Sequence, residues 1–338
     1  MQVSTNVSLL PYNTFGIHTT ARYFGTFAHL DQLQELLQWP GAEGQPRLIL
    51  GGGSNILLTR PFDGIVLKNE LKGISVVKED DEFVYVKAGA GENWHSFVQH
   101  TISMGVGGLE NLSLIPGNVG ASPMQNIGAY GVEIKDVFES LEAWHIEDKF
   151  LVSFDAKACQ FGYRESAFKR QFKDKFVILS VTYRLRKKPV FHTTYGAISA
   201  ELEHMGIKDL SIEAISQAVI NIRSSKLPDP KKVGNAGSFF KNPTVSESQY
   251  RVLKSTFPEI VAYPLEHGEF KLAAGWLIEQ CGWKGYREGD AGVHEKQALV
   301  LVNYGDATGD ELFRLSSKIM QSVQTKFGVT LEREVNII

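Results

Sequence analysis

Cysteine is scarce in this chain of 338 residues, which carries only Cys159 and Cys281. Their spacing is not that of a CxxC pair, which argues against a zinc site and against a redox pair. The two cysteines could form one disulfide, but two buried, unpaired thiols are the favoured interpretation. We therefore expect the protein to reside in the cytoplasm.

Long apolar runs are also absent. No stretch reaches the roughly 18 apolar residues that a membrane span needs, so no membrane association is expected. The first residues, MQVSTNVSLL, lack a basic flank followed by an apolar stretch, which argues against a signal peptide. An excess of charge is missing too, since 35 basic and 38 acidic residues nearly cancel. We therefore expect no nucleic-acid partner.

The composition is that of a globular protein, with 43% hydrophobic and 22% charged residues, and the length predicts two or three domains. Apolar periodicity predicts helices over 30–39, from near Glu92, from an N-cap at Ser211 to before Pro228, over KLAAGWLIEQ, and over 310–327 up to Gly328. Strands are predicted at RLIL, NILL, EFVYVKAG, VFESLEAWHI, FVILSVTYRLR and QALVLVN. The PDPKK stretch with VGNAGS is the predicted domain boundary. We predict an α+β protein with three parts.

Three glycine-rich segments follow predicted strand ends: 51–55 (GGGSN), 89–93 (GAGEN) and 116–123 (PGNVGASP). Glycine permits positive φ and close backbone approach, and successive N–H groups can form an anion-binding nest that suits a pyrophosphate. None of the segments is a Walker A loop or a complete GxGxxG motif. Each one alone is typical of a tight turn. The three together indicate either turns or a dinucleotide site.

Longer motifs run over nearly the whole chain. They are NTFGI at 13–17, LGGGSNILL at 50–58, AGAGENWH at 88–95, GLENLSLIPGNVGASPMQNIGAYGVE at 108–133, FGYRES at 161–166, KLPDPK at 226–231, GNAGSFFKNP at 234–243, KLAAGWLIEQCG at 271–282 and LEREV at 331–335. The chain resembles the UDP-N-acetylenolpyruvoylglucosamine reductase family, which acts in peptidoglycan precursor synthesis. The TTYGA segment with Tyr195 is similar to the substrate-covering loop of the family's longer architectural type.

The resemblance implies a vanillyl-alcohol-oxidase-type FAD-binding fold of two α+β domains, with a third α+β domain that binds substrate. The implied boundaries are 1–72 with 331–338, then 73–225, then 226–330. The implied cofactor is non-covalent FAD, with NADPH as hydride donor, a nucleotide sugar as substrate and a monomeric chain. The FAD contacts implied are Gly51, Gly52, Gly53, Ser54, Asn55, Gly89, Ala90, Gly117, Gly120, Ala121, Ser122, Asn126, Gly128 and Gly131.

The family's reaction adds hydride to the enolpyruvyl methylene carbon and a proton to the adjacent carbon, so it needs an anion-stabilising group and an acid. The resemblance implies that Ser238 is the proton donor, that Arg164 faces the substrate carboxylate and that Glu334 lies near the developing charge. From the residues alone, the same three are typical of a turn hydroxyl, a surface ion pair and a solvated charge. Glu332 lies close enough in sequence to compete with Glu334.

The resemblance also implies contacts to the nucleotide sugar. The main ones are Tyr195, Lys226, Asn242 and Gln297, and weaker ones are Tyr163 and Arg223. Two positions depart from the family pattern. Ala121 stands where serine is frequent, so one flavin hydrogen bond is in doubt, and Asn336 stands where arginine is frequent, so a substrate contact from the tail is in doubt.

Two other functions compete with the reductase. An FAD-linked oxidase of the same fold would return electrons to oxygen and needs no acid for a carbanion. A non-catalytic nucleotide-sugar-binding flavoprotein would be expected to have lost acid or anion-stabilising residues. The set of Ser238, Arg164 and Glu334 favours the reductase over both.

Overall fold

The helices and strands follow from a computed structural model, which describes residues 2–195 and 197–338. Over those residues the α-helices are α1 (Leu30–Gln38), α2 (Trp94–Ser103), α3 (Ala156–Cys159), α4 (Ile198–His204), α5 (Ile212–Lys226), α6 (Glu247–Thr256), α7 (Ala274–Gln280) and α8 (Gly309–Phe327). The strands are β1 (Val3–Ser8), β2 (Thr20–Phe27), β3 (Arg47–Leu50), β4 (Ile56–Leu57), β5 (Phe62–Asn69), β6 (Ile74–Glu79), β7 (Phe83–Gly89), β8 (Gly128–Ala129), β9 (Val132–Glu133), β10 (Phe138–His145), β11 (Leu151–Asp155), β12 (Phe176–Arg186), β13 (Gly234–Ser238), β14 (Thr244–Ser246), β15 (Ala262–Pro264), β16 (Glu269–Leu272), β17 (Arg287–Glu288), β18 (Ala291–Val293), β19 (Val300–Asn303) and β20 (Asn336–Ile337).

The chain divides into two compact units. The first comprises 1–7, 21–52 and 63–225, and the second comprises 8–20, 53–62 and 226–338. The division after residue 225 lies close to the predicted boundary at PDPKK. The C-terminal residues 331–338 fall in the second unit. The three-domain division stays a prediction.

The first unit contains two main sheets. One has the strand order β1-β2-β5-β3, with β3 and β5 parallel, and the other has the order β11-β10-β12-β7-β6, with antiparallel neighbours. Apolar side chains of the second sheet alternate inward and pack on α2, where Trp94 and Phe97 are fully buried beside Tyr183. This aromatic cluster anchors α2, whose N-terminus follows the second glycine-rich segment.

The second unit is built on the sheets β13-β19-β18-β17 and β14-β16-β15, with β20 parallel to β4. The helix α8 buries one apolar stripe, Leu312, Leu315, Ile319 and Val323, against these strands. A capping box from Thr308 and Glu311 begins α8, and Gly328 ends it with φ +65°. The apolar face of α8 thus supplies much of the core of this unit.

Most predicted elements are confirmed. The helices α1, α5 and α8 and the strands β7, β10 and β12 match their predicted positions within about two residues. The helix predicted over 271–280 is wrong at its start, because Lys271 and Leu272 belong to β16, which pairs with both β14 and β15. The third glycine-rich segment follows no strand and includes a 3-10 turn over Val119–Ala121.

Both cysteines are free thiols, with Cys159 buried and Cys281 half-buried. Burial raises the pKa of Cys159 to about 12, so this thiol stays protonated and unreactive. Within the residues described, no helix combines the length and apolarity that crossing a bilayer requires.

Candidate functional site

The glycine-rich segments of the first unit interlock. The N–H of Gly120 donates to Ala90 O at 2.9 Å, and the N–H of Trp94 donates to Gly117 O at 3.0 Å. A Cβ on Gly120 would lie 2.5 Å from the Cβ of Ala90, and one on Gly52 would lie 2.9 Å from the Cα of Gly117. Only glycine permits backbones to approach this closely, so the sequence clusters are explained by packing between loops.

The same loops fit a pyrophosphate. Gly52 lies against Gly117, and Gly117 has φ +116°. The backbone N–H groups of Gly52, Gly117 and Asn118 have no acceptor among the residues described, although they lie in one small region. Unbonded N–H groups that lie close together on a glycine-rich backbone are typical of loops that hold phosphate oxygens.

Two of the predicted FAD contacts have structural roles of their own. The hydroxyl of Ser122 is fully buried, 2.6 Å from the hydroxyl of Tyr183 and bonded to Val119 O. The amide of Asn126 donates to Glu133 and to Gly162 O, and its oxygen accepts from the N–H of Lys135. Both side chains are therefore engaged within the protein, and a role in FAD binding stays a prediction for them.

Arg164 lies at the tip of a tight turn in which Gly162 and Glu165 bond to each other through their backbones. Its φ is +53°, a conformation that is strained for any residue with a side chain. Its Nη2 donates to Gly128 O at 2.6 Å, which orients the guanidinium. Strain of this kind accumulates where function requires a particular orientation.

Positive charge concentrates around Arg164 in the first unit. Burial lowers the pKa of the Arg223 guanidinium, and the positive charge of Arg164 lowers that pKa further, against an opposite effect of Tyr130. Burial, followed by the charge of Arg223, lowers the pKa of His95. The guanidinium groups of Arg164 and Arg223 therefore lie close enough to interact electrostatically.

Tyrosines border the region around Arg164 and Arg223. Burial raises the pKa of Tyr130, which interacts electrostatically with Arg223 and with Tyr195. The Cβ of Tyr195 lies 3.3 Å from where a Cβ on Gly131 would be, and the Tyr195 side chain is exposed. Tyr163 is also exposed, with its ring 5.5 Å from the Arg164 guanidinium carbon. The structure thus brings Tyr163, Arg164, Tyr195 and Arg223 into one region, whereas Gly196 of the TTYGA segment lies outside the described residues.

In the second unit, the structure places Ser238 and Glu334 on neighbouring segments. Ser238 is exposed at the end of β13, after Gly237 with φ +70°. The N–H of Glu334 donates to Phe239 O at 2.8 Å, and the N–H of Lys241 donates to Glu332 O at 2.9 Å. The LEREV segment therefore runs alongside the chain that follows Ser238.

The two glutamates of LEREV have different surroundings. Glu332 forms a 2.5 Å ion pair with Lys241, whose side chain is nearly buried. Glu334 is half-buried, and its carbonyl oxygen accepts from Nδ2 of Asn55. Asn336 donates from its backbone and its side chain to Asn55 O at 3.1 and 2.9 Å. The departure at Asn336 therefore has a structural role, since it ties the tail to the GGGSN loop.

The remaining predicted contacts of the second unit divide into two places. Asn242 accepts from the N–H of Ala274 at 2.9 Å and so caps α7, and Gln297 lies 3.4 Å from where a Cβ on Gly275 would be. These two amides therefore flank the start of α7. Lys226 is exposed at the end of α5. Within the GGGSN segment, a Cβ on Gly53 would lie 1.9 Å from Tyr12 O, so this position also requires glycine.

The sequence did not point to His95, Leu114 and Tyr130, which lie in the region around Arg164 and Arg223. Leu114 and Tyr130 have positive φ, at +59° and +51°, without being glycine. Nothing in the sequence marks such strain, because it results from tertiary contacts. His95 lies within the AGAGENWH motif, and an imidazole beside a glycine-rich segment was the one signal available.

The FAD binding domain family matches residues 22–148, so the protein is a flavoprotein with FAD as its cofactor. The family described as UDP-N-acetylenolpyruvoylglucosamine reductase, C-terminal domain, matches residues 229–338. Two UDP-N-acetylenolpyruvoylglucosamine reductases, from Flavobacterium johnsoniae and Pseudomonas putida, are each 50% identical to this chain. Both matches cover 100% of this chain, and they cover 100% of the Flavobacterium protein and 99% of the Pseudomonas protein.

The chain therefore belongs to the UDP-N-acetylenolpyruvoylglucosamine reductase family and is an oxidoreductase. The crystal structure of the reductase from Thermus caldophilus shares the fold, with a TM-score of 0.69, 24% identity and coverage of 100% of this chain and 99% of that one. The predicted α+β fold with an FAD-binding domain is confirmed, and its assignment to the vanillyl-alcohol-oxidase type stays a prediction.

Proposed function

We propose that this chain reduces the enolpyruvyl double bond of UDP-N-acetylglucosamine enolpyruvate to give UDP-N-acetylmuramate, a precursor of peptidoglycan, with NADPH as the hydride donor. The 50% identity to reductases over the full length supports this reaction most strongly. Bound FAD would supply the hydride-transfer chemistry between NADPH and the methylene carbon of the substrate. Gly52, Gly117 and Asn118 would hold its pyrophosphate through their backbone N–H groups.

Arg164 is the proposed ligand of the substrate carboxylate. Hydride addition leaves negative charge that is delocalised into this carboxylate, and a guanidinium oriented by Gly128 stabilises that charge without having to reorganise. The positive φ of Arg164 supports the role, because strain is retained where it fixes a functional orientation.

Ser238 is the proposed acid. Its hydroxyl would give a proton to the carbon next to the reduced methylene and would recover a proton from solvent, to which it is exposed. Glu334, on the neighbouring segment, is proposed to lie near the developing charge, where its carboxyl must be either protonated or paired with an arginine, because an unpaired ionised carboxylate would repel that charge.

The nucleotide sugar is proposed to contact Tyr195, Lys226, Asn242 and Gln297, with Tyr163 and Arg223 as further contacts. The cationic region of Arg164 and Arg223 supports an anionic ligand in the first unit. An exposed lysine at the end of α5 offers a point charge for a diphosphate. We further propose that the protein acts as a monomer in the cytoplasm, where a nucleotide sugar and NADPH would both be available.

An anaerobic experiment with the purified holoprotein tests the proposed function. NADPH should bleach the flavin, and the enolpyruvyl substrate should then restore the oxidised spectrum with formation of UDP-N-acetylmuramate. A flavin that stays bleached until oxygen is admitted, with hydrogen peroxide as product, would replace the reductase by an oxidase. A flavin that NADPH never bleaches would indicate a nucleotide-sugar-binding protein without catalysis.

A further inference from the structure

Both polar backbone groups of Leu114 are held by side chains from two helices. Its N–H donates to Nδ1 of His95 on α2 at 3.0 Å, and its carbonyl oxygen accepts from Nε of Arg223 on α5 at 3.3 Å. Leu114 has φ +59°, which is unfavourable for a residue with a branched side chain and persists only where other contacts impose it. His95, Leu114 and Arg223 therefore form one connected arrangement within the first unit.

The arrangement leaves most of the Arg223 guanidinium available. A guanidinium has five N–H donors, and Nε uses one of them on Leu114. The terminal nitrogens of Arg223 have no acceptor and no carboxylate partner among the residues described, and the like charge of Arg164 lies close enough to lower the pKa of Arg223 further, after the larger effect of burial. A partly buried cation in such surroundings is costly unless an anion neutralises it.

His95 can hold Leu114 only as a neutral ring. Because Nδ1 accepts the N–H of Leu114, the ring proton must lie on Nε2. Burial and the charge of Arg223 lower the pKa of His95, which keeps the ring in this form at neutral pH. Loss of the acceptor would free the strained Leu114 to relax, and the carbonyl oxygen that orients Arg223 would move with it.

We propose that His95 is a positioning residue for anion recognition: by fixing Leu114, it holds Arg223 in the orientation that binds the phosphate groups of a nucleoside diphosphate. The choice of a nucleoside diphosphate rests on the proposed function, whereas the anion site itself rests on the geometry around Arg223. His95 acts through another residue and need not touch the ligand.

The test measures binding of UDP and of inorganic pyrophosphate to the FAD-loaded protein by calorimetry. His95→Ala should weaken both ligands about tenfold, which corresponds to the loss of one well-placed hydrogen bond and of the orientation it maintains. His95→Asn should stay within about threefold of the wild type, because an amide oxygen can accept in place of Nδ1. His100→Ala, an exposed histidine on the same helix, is the matched control and should leave both affinities unchanged.

A double-mutant cycle separates positioning from general loss of structure. In an Arg223→Ala background, His95→Ala should cost less than about twofold in pyrophosphate affinity, because the residue it positions is gone. The inference is overturned if the two penalties add, if His95→Asn binds as weakly as His95→Ala, or if the wild type binds neither ligand. These measurements need no turnover. A protein that binds both ligands as described but fails to reduce the enolpyruvyl substrate would refute the proposed function and leave the role of His95 intact.

Discussion

The backbone N–H of Glu334 donates to the carbonyl oxygen of Phe239 at 2.8 Å, one residue beyond Ser238. Residues far apart in the sequence are thus brought together by one antiparallel contact between the tail and the segment after β13. Glu332 forms an ion pair with Lys241, which lies two residues beyond Phe239 in the sequence. The segment that carries Glu334 thus lies alongside the chain that follows Ser238.

FAD should be bound tightly and without a covalent link. Covalent attachment needs a nucleophilic side chain such as His or Cys beside the ring, and the segment from Pro116 to Gly131 contains neither. Natively purified protein should be yellow, and acid precipitation should release the colour into the supernatant. Flavin that stays in a washed, denatured pellet would contradict this prediction.

Tyr195→Phe and Lys226→Ala should each raise the Michaelis constant for the enolpyruvyl substrate. Loss of a charge-assisted contact to the diphosphate costs about 1.5–3 kcal/mol, or roughly ten- to hundredfold in affinity, and a lost tyrosine hydroxyl costs less. Reduction of the flavin by NADPH should be largely unaffected in both variants. Lys232→Ala, an exposed lysine nearby in sequence, is the control. Unchanged constants in both test variants would remove these residues from the site.

Arg164→Gly and Arg164→Ala should differ in stability but agree in activity. Both remove the guanidinium and its bond to Gly128, so both should slow substrate-driven reoxidation of the flavin. A φ of +53° is unfavourable for alanine but not for glycine. The free energy of unfolding of the glycine variant should therefore be about 1 kcal/mol higher than that of the alanine variant. Urea denaturation of the two holoproteins measures the difference. Equal stabilities would show that the turn relaxes when the guanidinium is removed.

Glu110 should make the stability of the protein depend on pH. Burial raises the pKa of this carboxyl, although backbone N–H groups, that of Gly108 first, partly oppose the shift. The pKa of Glu110 is therefore higher in the folded protein than in the unfolded chain, where it is about 4.3. The contribution of Glu110 to the free energy of unfolding is complete below a pH of about 4.3 and is lost as the pH rises through the pKa of the folded protein. Glu110→Gln should therefore gain stability relative to the wild type as pH increases over that window. Urea denaturation across this pH range measures the difference, and parallel curves of unfolding free energy against pH for the two proteins would contradict the prediction.

The structure shows which parts of the fold local sequence determines. The apolar stripe of α8 and the αL glycine at its end suffice to place that helix, and alternating residues suffice for β12. The β16 strand was mistaken for a helix start because its partners, at 244–246 and 262–264, are remote, and only pairing with them makes Lys271 and Leu272 extended.

Resemblance in long motifs leads to the prediction of Arg164, Ser238 and Glu334 as site residues. Features that depend on tertiary contacts could not be predicted from the sequence. The internal bonds of Asn126 and Ser122, the positive φ of Leu114 and the electrostatic link between His95 and Arg223 all depend on three-dimensional neighbours. The glycine clusters predicted close backbone approach, which the structure shows between Gly52 and Gly117 and between Gly120 and Ala90. Their contacts to FAD stay a prediction.

Ser238→Ala provides the most direct test of the proposed mechanism, by stopped-flow measurement of the two half-reactions without oxygen. The variant should fold and bind FAD, since one exposed hydroxyl contributes at most about 1 kcal/mol. NADPH should bleach its flavin at nearly the wild-type rate, because that step needs no acid. Reoxidation by the enolpyruvyl substrate should slow by about 10²–10⁴-fold, and Ser238→Cys should lose less. Reoxidation of Ser238→Ala at the wild-type rate would show that Ser238 is a turn residue and that the acid lies elsewhere.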